Sequence, residues 1–205
     1  MDLGTILYFL VSSVIITLAP GPDNMYLLAT SLASGAKCGV FLTMGLASGI
    51  VFHTTLVIIG VAALLQESPI LLQIVKYVGA AYLLYIAWQA FHAKGELELT
   101  NQTEKKSYGQ LYRRGVLMNA LNPKVLLFFL AFLPQFVNMQ DPQVSWHIGM
   151  LGIIFSIQAF CIFSLIALAA GKIHNYVLGL KNFNQIMGIL QGIILLIIAG
   201  AIVIS

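Results

Sequence analysis

The hydrophobic positions of the chain fall into six segments separated by short polar stretches. About 20 consecutive apolar residues cross a bilayer as a helix, with a range of roughly 17–25. The first segment consists of two pieces, 5–19 and 25–33, with prolines between them. The other five segments are 39–65, 70–91, 115–137, 146–170 and 185–204. The pattern predicts six transmembrane helices, the first and the fourth of them broken at proline.

The composition supports a location in the membrane. Of the 205 residues, 60% are hydrophobic and 8% are charged, and the mean hydropathy is +0.94. Soluble domains carry roughly 45–50% apolar and about 25% charged residues. We therefore predict an all-α integral membrane protein with a single domain, residues 1–205. The two cysteines, Cys38 and Cys161, are too few for a disulfide framework and are expected to be free thiols.

The positive charges predict the orientation of the chain. The links after the first, third and fifth segments carry eight Lys and Arg residues, whereas the opposite side carries at most Lys76. Because short cytoplasmic loops are enriched in Lys and Arg, we expect both termini outside and the long polar loop, 92–114, in the cytoplasm. The net charge of +3 is spread over membrane-flanking positions and does not indicate nucleic-acid binding. The eight residues are Lys37, Lys94, Lys105, Lys106, Arg113, Arg114, Lys172 and Lys181.

Two proline breaks suggest an internal repeat. Pro22 and Pro123 lie 101 positions apart, and each interrupts the first segment of a set of three. Because three is an odd number of crossings, the second half must enter the membrane in the opposite sense. The pattern predicts two inverted three-helix repeats, about 1–91 and 115–205, as in secondary transporters whose site lies at such breaks. The depths match imperfectly, because about sixteen residues precede the first break and only about eight precede the second.

The first break is Pro20-Gly21-Pro22, followed by Asp23 and Asn24. The prolines remove two amide donors, and the glycine admits unusual backbone angles. A simple kink would explain a lone proline, but this combination favours an unwound site. Its free carbonyls and the N-terminus of the next helix could hold the ammonium and the carboxylate of an amino acid.

Asp23 and His53 each have two interpretations. Asp23 could cap a helix that begins at Asn24, or it could carry a proton or bind a substrate ammonium within the membrane. His53 lies near the middle of the second segment, on the same helix face as Gly45 and Gly49. It could be a neutral residue hydrogen-bonded across helices, or it could relay protons or line a cavity.

The second break contains Asn119, Asn122, Pro123 and Lys124. Asn119 and Asn122 are three residues apart and are expected to face the same way. Lys124 could pair with Asp23 across the pseudo-symmetry axis, or its ammonium could extend to the cytoplasmic surface; we favour the second. Small residues at close spacing predict helix contacts. The packing positions expected on this basis are Gly45, Gly49, Gly79, Gly188 and Gly192.

Four motifs stand in order along the chain: Pro20-Gly21-Pro22-Asp23, Gly45-Leu46-Ala47-Ser48-Gly49 with His53, Tyr77-Val78-Gly79-Ala80-Ala81-Tyr82-Leu83, and Asn119-Ala120-Leu121-Asn122-Pro123-Lys124. Together they resemble the lysine-exporter (LysE/RhtB) family of amino-acid efflux proteins. Length, segment number and motif order agree over the whole chain. The resemblance implies proton-driven export of amino acids or close derivatives across a bacterial inner membrane.

Two other functions are weighed against this one. More distant relatives export metal cations, but hard cations require several carboxylate oxygens, and only Asp23 is available near the predicted core. A membrane-embedded enzyme is disfavoured because the four histidines lie apart, without HExxH or paired-carboxylate spacing. We therefore predict a transporter, not an enzyme, with alternating access and no cofactor or metal. Its partners are an amino-acid substrate, protons and the lipid bilayer; the substrate's identity and any homo-oligomer are left open.

Overall fold

The computed structural model describes residues 1–67, 69–92, 106–179 and 183–204. All regular secondary structure within these ranges is helical. A π-helical turn (Phe128–Phe132) and a 3-10 turn (Leu133–Phe136) follow the sixth of the eight α-helices in these ranges. The α-helices are α1 (Leu3–Leu18), α2 (Pro22–Ser34), α3 (Ala36–Glu67), α4 (Pro69–His92), α5 (Tyr108–Ala120), α6 (Pro123–Leu127), α7 (Val144–Gly179) and α8 (Phe183–Ile204). The prediction of an all-α integral membrane protein is confirmed.

The described part of the chain holds four to six candidate membrane spans. Four of them are single helices: Ala36–Gly60, Gln73–His92, Val144–Ala170 and Gln185–Ile204. The other two are bent pairs. Helices α1 and α2 meet at 60°, and α5 meets Pro123–Phe136 at 47°. If each bent pair is one span, the chain crosses the membrane six times, and both bends fall at the predicted prolines.

The two bent pairs run antiparallel to each other. Phe9, near the start of α1, stacks edge to face on Phe136, at the end of the other pair, with ring centroids 5.2 Å apart. Lys106, just before α5, donates to the hydroxyl group of Tyr26 on α2 (3.0 Å). The beginning of each pair therefore lies beside the second helix of the other pair.

Helices α3 and α5, by contrast, run parallel and touch backbone to backbone. A Cβ atom built on Gly45 would overlap the Tyr112 carbonyl oxygen, and one built on Gly49 would lie 2.7 Å from the Asn119 Cβ. Gly115 on α5 is equally close to the α3 backbone. This approach is possible because these positions carry no side chain. Of the other glycines expected at helix contacts, Gly79 lies against Ala131, Gly192 lies against Phe91, and Gly188 is buried.

Substituting Gly45 with alanine is expected to loosen this contact. The added methyl group would meet a backbone carbonyl, which cannot move aside as a side chain can, and such overpacking costs about 1–3 kcal/mol. We therefore expect Gly45→Ala to lower the thermal unfolding temperature of the purified protein in detergent. Gly60, in the same helix, has nothing within 4 Å of a built Cβ, so Gly60→Ala is the matched control. Equal stability of the two variants would contradict the close approach.

The fourth segment begins earlier than the hydropathy pattern predicts. Helix α5 starts at Tyr108, so Arg113 and Arg114 are helical rather than part of a loop spanning 92–114. A capping box fixes its start: Gln110 N donates to Ser107 Oγ (3.3 Å), and Ser107 N donates to Gln110 Oε1 (2.8 Å). Thirteen residues, not about eight, precede the second break, compared with the sixteen residues of α1. The mismatch in depth between the halves is therefore smaller than predicted.

The link predicted after the fifth segment is also partly helical. Helix α7 continues to Gly179, whereas the sequence pattern placed a link at 172–184. Of the long polar loop predicted at 92–114, residues 93–105 lie outside the described residues. So do three of the eight cations used to predict the orientation, namely Lys94, Lys105 and Lys181.

Candidate functional site

The two helix breaks lie side by side inside the bundle. Lys124, just after the second break, donates from Nζ to the carbonyl oxygen of Ala19, just before the first (2.8 Å). In the other direction, Asn119 Nδ2 donates to Asp23 Oδ2 (3.4 Å). These two hydrogen bonds join residues that are 105 and 96 positions apart in the chain. Both breaks therefore contribute to one polar centre.

The first break is built from three residues without side-chain donors. Ala19 ends α1 through a bond from its N–H to the Ile15 carbonyl (2.9 Å). Gly21 is extended (φ −176°, ψ 179°) and precedes Pro22, the first residue of α2. Proline suits this position because its missing N–H would have no partner there. A Cβ on Gly21 would lie 3.2 Å from Lys124 Nζ, so the glycine leaves room for the ammonium.

Asp23 is the second residue of α2, so the predicted role as cap of a helix beginning at Asn24 is wrong. The cap position belongs to Gly21, and Met25 N bonds to its carbonyl oxygen (2.9 Å). The Asp23 side chain is 2% exposed and lies at the positive end of the α2 dipole. It is therefore free of a capping bond and faces the centre between the breaks.

The second break repeats the same construction. Asn122 caps α6 by accepting a bond from Lys124 N at Oδ1 (3.0 Å), and Pro123 is the first helical residue. Lys124 is then the second residue of its helix, the position that Asp23 holds in α2. Pro22 and Pro123 themselves are exposed. Each proline starts a helix, while the residue after it faces the buried centre.

Lys124 does not extend to the surface, contrary to the interpretation that the sequence favoured. Its side chain is only 4% exposed, and its ammonium crosses to the other half of the protein. The described contacts of Lys124 and Asp23 include no direct ion pair between them. Asn119 donates to the Asp23 carboxylate and Asn122 accepts from Lys124 N, so both amide side chains lie at the same centre.

His53 connects α3 to the second break. The ring is fully buried, and Nε2 lies 2.8 Å from the Asn119 carbonyl oxygen. Because a carbonyl can only accept, Nε2 carries the proton in this contact. The Asn119 carbonyl also accepts a bond from Asn122 N (2.9 Å), and its second lone pair is open to the ring because Pro123 has no N–H to bond four residues back. The imidazole therefore points into the bundle, as its position on the glycine face predicts.

Six buried polar atoms around the breaks have no hydrogen-bond partner among the described residues. In native proteins more than about 90% of buried polar groups are paired, so these atoms are available to bond a polar ligand. Four of the six are amide or carboxylate oxygens that can only accept, one is a ring nitrogen, and one is an amide donor. The atoms are Asp23 Oδ1, Asn24 Oδ1, Asn119 Oδ1, Gln158 Oε1, His53 Nδ1 and Asn122 Nδ2.

Gln158 lies at the site although the sequence pattern favoured an ordinary structural role for it. It lies on α7 and donates from Nε2 to Thr17 Oγ1 (2.9 Å) and to the Ser13 carbonyl (3.4 Å). The Thr17 carbonyl in turn accepts a bond from Asn24 Nδ2 (3.0 Å). The last turn of α1 thus joins Gln158 to the first break. The only signal in the sequence was an amide inside an apolar segment.

The chain is similar over most of its length to known efflux proteins. The family profile described as LysE type translocator matches residues 14–205. The homoserine/homoserine lactone efflux protein of Salmonella typhimurium is 29% identical over 196 residues, covering 94% of this chain and 95% of that protein. The leucine efflux proteins of Salmonella choleraesuis and Salmonella paratyphi A are each 29% identical over 187 residues, covering 91% of this chain and 88% of theirs. No solved structure gives a significant match. The extent of the profile match shows that the chain belongs to the LysE type translocator family.

Proposed function

We propose that this protein exports an amino acid or a close derivative from the cytoplasm in exchange for protons, by alternating access. The relatives named for efflux of homoserine, homoserine lactone or leucine support an amino-acid substrate. The observation that carries the proposal is the meeting of two broken helices around one buried acid, Asp23, and one buried base, Lys124. An amino-acid head group carries one charge of each sign, so this centre is complementary to it.

The substrate ammonium is assigned to the acceptor side of the centre. Asp23, Asn24 and Asn119 each offer a buried oxygen without a protein partner. Three acceptors match the three N–H groups of an ammonium, and one of the three oxygens is charged, which strengthens the bond. The substrate carboxylate is assigned to Lys124 Nζ and to the free amide hydrogens of Asn122 Nδ2.

Proton exchange follows from the same acid. When Asp23 is ionised, its carboxylate holds the substrate ammonium, and when it is protonated, it loses the charge that attracts the substrate. A proton arriving from outside would therefore displace the substrate, and a substrate arriving from the cytoplasm would displace the proton. One site occupied by either species in turn is the minimal requirement for antiport.

Alternating access is assigned to the two bent pairs. The Lys124–Ala19 and Asn119–Asp23 hydrogen bonds join the pairs across the centre. A substrate that bonds to Lys124 and Asp23 competes with both of these contacts. Binding would thus change how the halves are held together, which is what exposure of the site to the opposite side requires.

The proposed orientation places both termini outside the cytoplasm, in a bacterial inner membrane. Lys37 is one of the cations from which this orientation is predicted. Its Nζ lies 5.1 Å from the centre of the Tyr108 ring, which places the start of α3 beside the start of α5. Lys106, Arg113 and Arg114 lie at or near the start of α5 as well. This end, with its concentration of positive charge, is assigned to the cytoplasm.

Purified protein in proteoliposomes tests the proposal. Vesicles loaded with a pH-sensitive dye and one amino acid are diluted into medium without it, and both proton movement and amino-acid release are recorded. We expect proton entry coupled to release of at least one of homoserine, threonine, leucine or lysine, and none in protein-free vesicles. Release that is unaffected by collapsing the pH gradient would contradict proton antiport. Transport of divalent cations, but of no amino acid, would instead favour the metal-exporter alternative.

A further inference from the structure

A groove runs along the face of α5 that does not pack on α3. Its volume is about 820 Å³. At the end of the groove near the start of α5, the described lining residues are Lys106, Gln110, Arg113 and Arg114. Among the described lining residues, three are cationic and none is acidic. This surface therefore attracts anions.

The other end of the groove, towards the end of α5, is apolar and open. Leu117 and Leu121 line it and are 61% and 78% exposed, respectively. Leu121 directly precedes the second helix break, so it lies at the depth of the transport site. From Arg113 to Leu121 the helix rises about 12 Å, comparable with the roughly 15 Å of hydrocarbon in one leaflet. One face thus changes from cationic to apolar over the length of a lipid chain.

Two of the cations are held in place by α2. Lys106 Nζ donates to the Tyr26 hydroxyl (3.0 Å), and the Arg114 guanidinium lies 4.6 Å from the centre of the Tyr26 ring. Contacts of this kind fix long, flexible side chains and reduce the entropy lost when a ligand binds. The cationic end of the groove is therefore a preorganised surface rather than a set of free lysine and arginine tails.

We propose that this groove binds an anionic phospholipid, with its phosphate on Lys106, Arg113 and Arg114 and an acyl chain along Leu117 and Leu121. Basic pockets at the membrane surface between transmembrane helices favour anionic head groups. A free inorganic anion would use the cations but not the leucines. A zwitterionic substrate entering the transporter would meet three positive charges with no described acid to hold its ammonium. Of these three ligands, only the phospholipid would contact both the cationic end and the leucines of the groove.

Lipid retention by the full-length protein tests this. The detergent-purified protein is incubated with phosphatidylglycerol or with phosphatidylcholine, and the bound lipid is counted by native mass spectrometry. We expect selective retention of phosphatidylglycerol, reduced about fivefold by Arg113→Gln, since each cation near a membrane surface contributes about that factor. Lys76→Gln, which removes one positive charge elsewhere, should leave retention unchanged. Leu117→Ser should also reduce retention, whereas Leu165→Ser, at a comparably exposed leucine of α7 (66%), should not.

Other outcomes would overturn the proposal. Equal retention of the two lipids, or equal losses in Arg113→Gln and Lys76→Gln, would indicate a non-selective lipid shell. Displacement of phosphatidylglycerol by inorganic phosphate at similar concentrations, with no effect of Leu117→Ser, would indicate a free-anion site. Weaker binding of the amino-acid substrate to Arg113→Gln in lipid-free detergent would make the groove part of the substrate path. The retention measurement does not depend on transport, so it stands even if the proposed export is wrong.

Discussion

Replacing Asp23 with asparagine is expected to reduce proton-coupled export to background while leaving the protein folded. Asparagine has the same shape and can still accept the hydrogen bond from Asn119 through its amide oxygen. It cannot ionise, so it neither attracts the substrate ammonium nor exchanges a proton. Hydrogen bonds to charged groups contribute about 1.5–3 kcal/mol, which predicts a loss of about 10–150-fold in substrate affinity. Asp23→Glu should retain part of the activity because it keeps the acid.

The matched control is Asp2→Asn, the same substitution at an exposed helix start. Asp2 accepts a bond from Thr5 N (2.8 Å) at the N-terminus of α1, a role that asparagine performs equally well. Export and thermal stability of this variant should equal those of the wild type. Proteoliposomes in which Asp23→Asn exchanges protons for substrate at the wild-type rate would rule out the coupling role of Asp23.

Replacing Lys124 with methionine is expected to separate transport from stability. The substitution removes the proposed carboxylate partner, so export should fall at least about tenfold, the equivalent of about 1.4 kcal/mol. The fold should tolerate it, because Asp23 without its cationic neighbour can keep its proton and remain neutral instead of carrying an unpaired buried charge. The measurement pairs the rate of export with the unfolding temperature in detergent.

Two further variants help to interpret the result for Lys124→Met: one is a control and the other has a smaller expected effect. Lys76→Met removes a lysine near the start of α4 and should leave export unchanged. Gly21→Ala places a methyl group 3.2 Å from the original ammonium position, so the ammonium must shift by a few tenths of an ångström and export should fall less than in Lys124→Met. Wild-type export by Lys124→Met would show that the lysine serves only to bond Ala19.

The positions of the helix breaks follow from local chemistry and could be predicted from the sequence. Proline removes the hydrogen bond to the preceding turn and is well suited to the first position of a helix, so Pro22 and Pro123 indicate where α2 and α6 begin. The start of α5 was missed because Arg113 and Arg114 interrupt the apolar pattern. Ser107 and Gln110, which form the capping box, are visible in the sequence, but both are polar, so the pattern of apolar residues does not detect them.

The contacts between the halves could not be predicted in the same way. Whether Lys124 reaches the surface or the other break depends on the space that Gly21 leaves open, a contact across 103 positions of chain. Gln158 likewise joins the site only because α7 packs against the last turn of α1. Such residues are identified by tertiary packing, since their neighbours in the sequence are ordinary apolar residues.

The shared helix position of Asp23 and Lys124 has an electrical consequence. Two halves identical in side chains would place the same charge at both breaks and leave an uncompensated double charge in the low-dielectric interior. Opposite signs make the centre electroneutral overall, but polar, with a dipole directed from one half to the other. A neutral zwitterion can align with that dipole without changing the net charge, whereas a lysine-like cargo would introduce an extra cation. The double exchange Asp23→Lys with Lys124→Asp would preserve neutrality and reverse the dipole, so the cargo would have to bind the other way round.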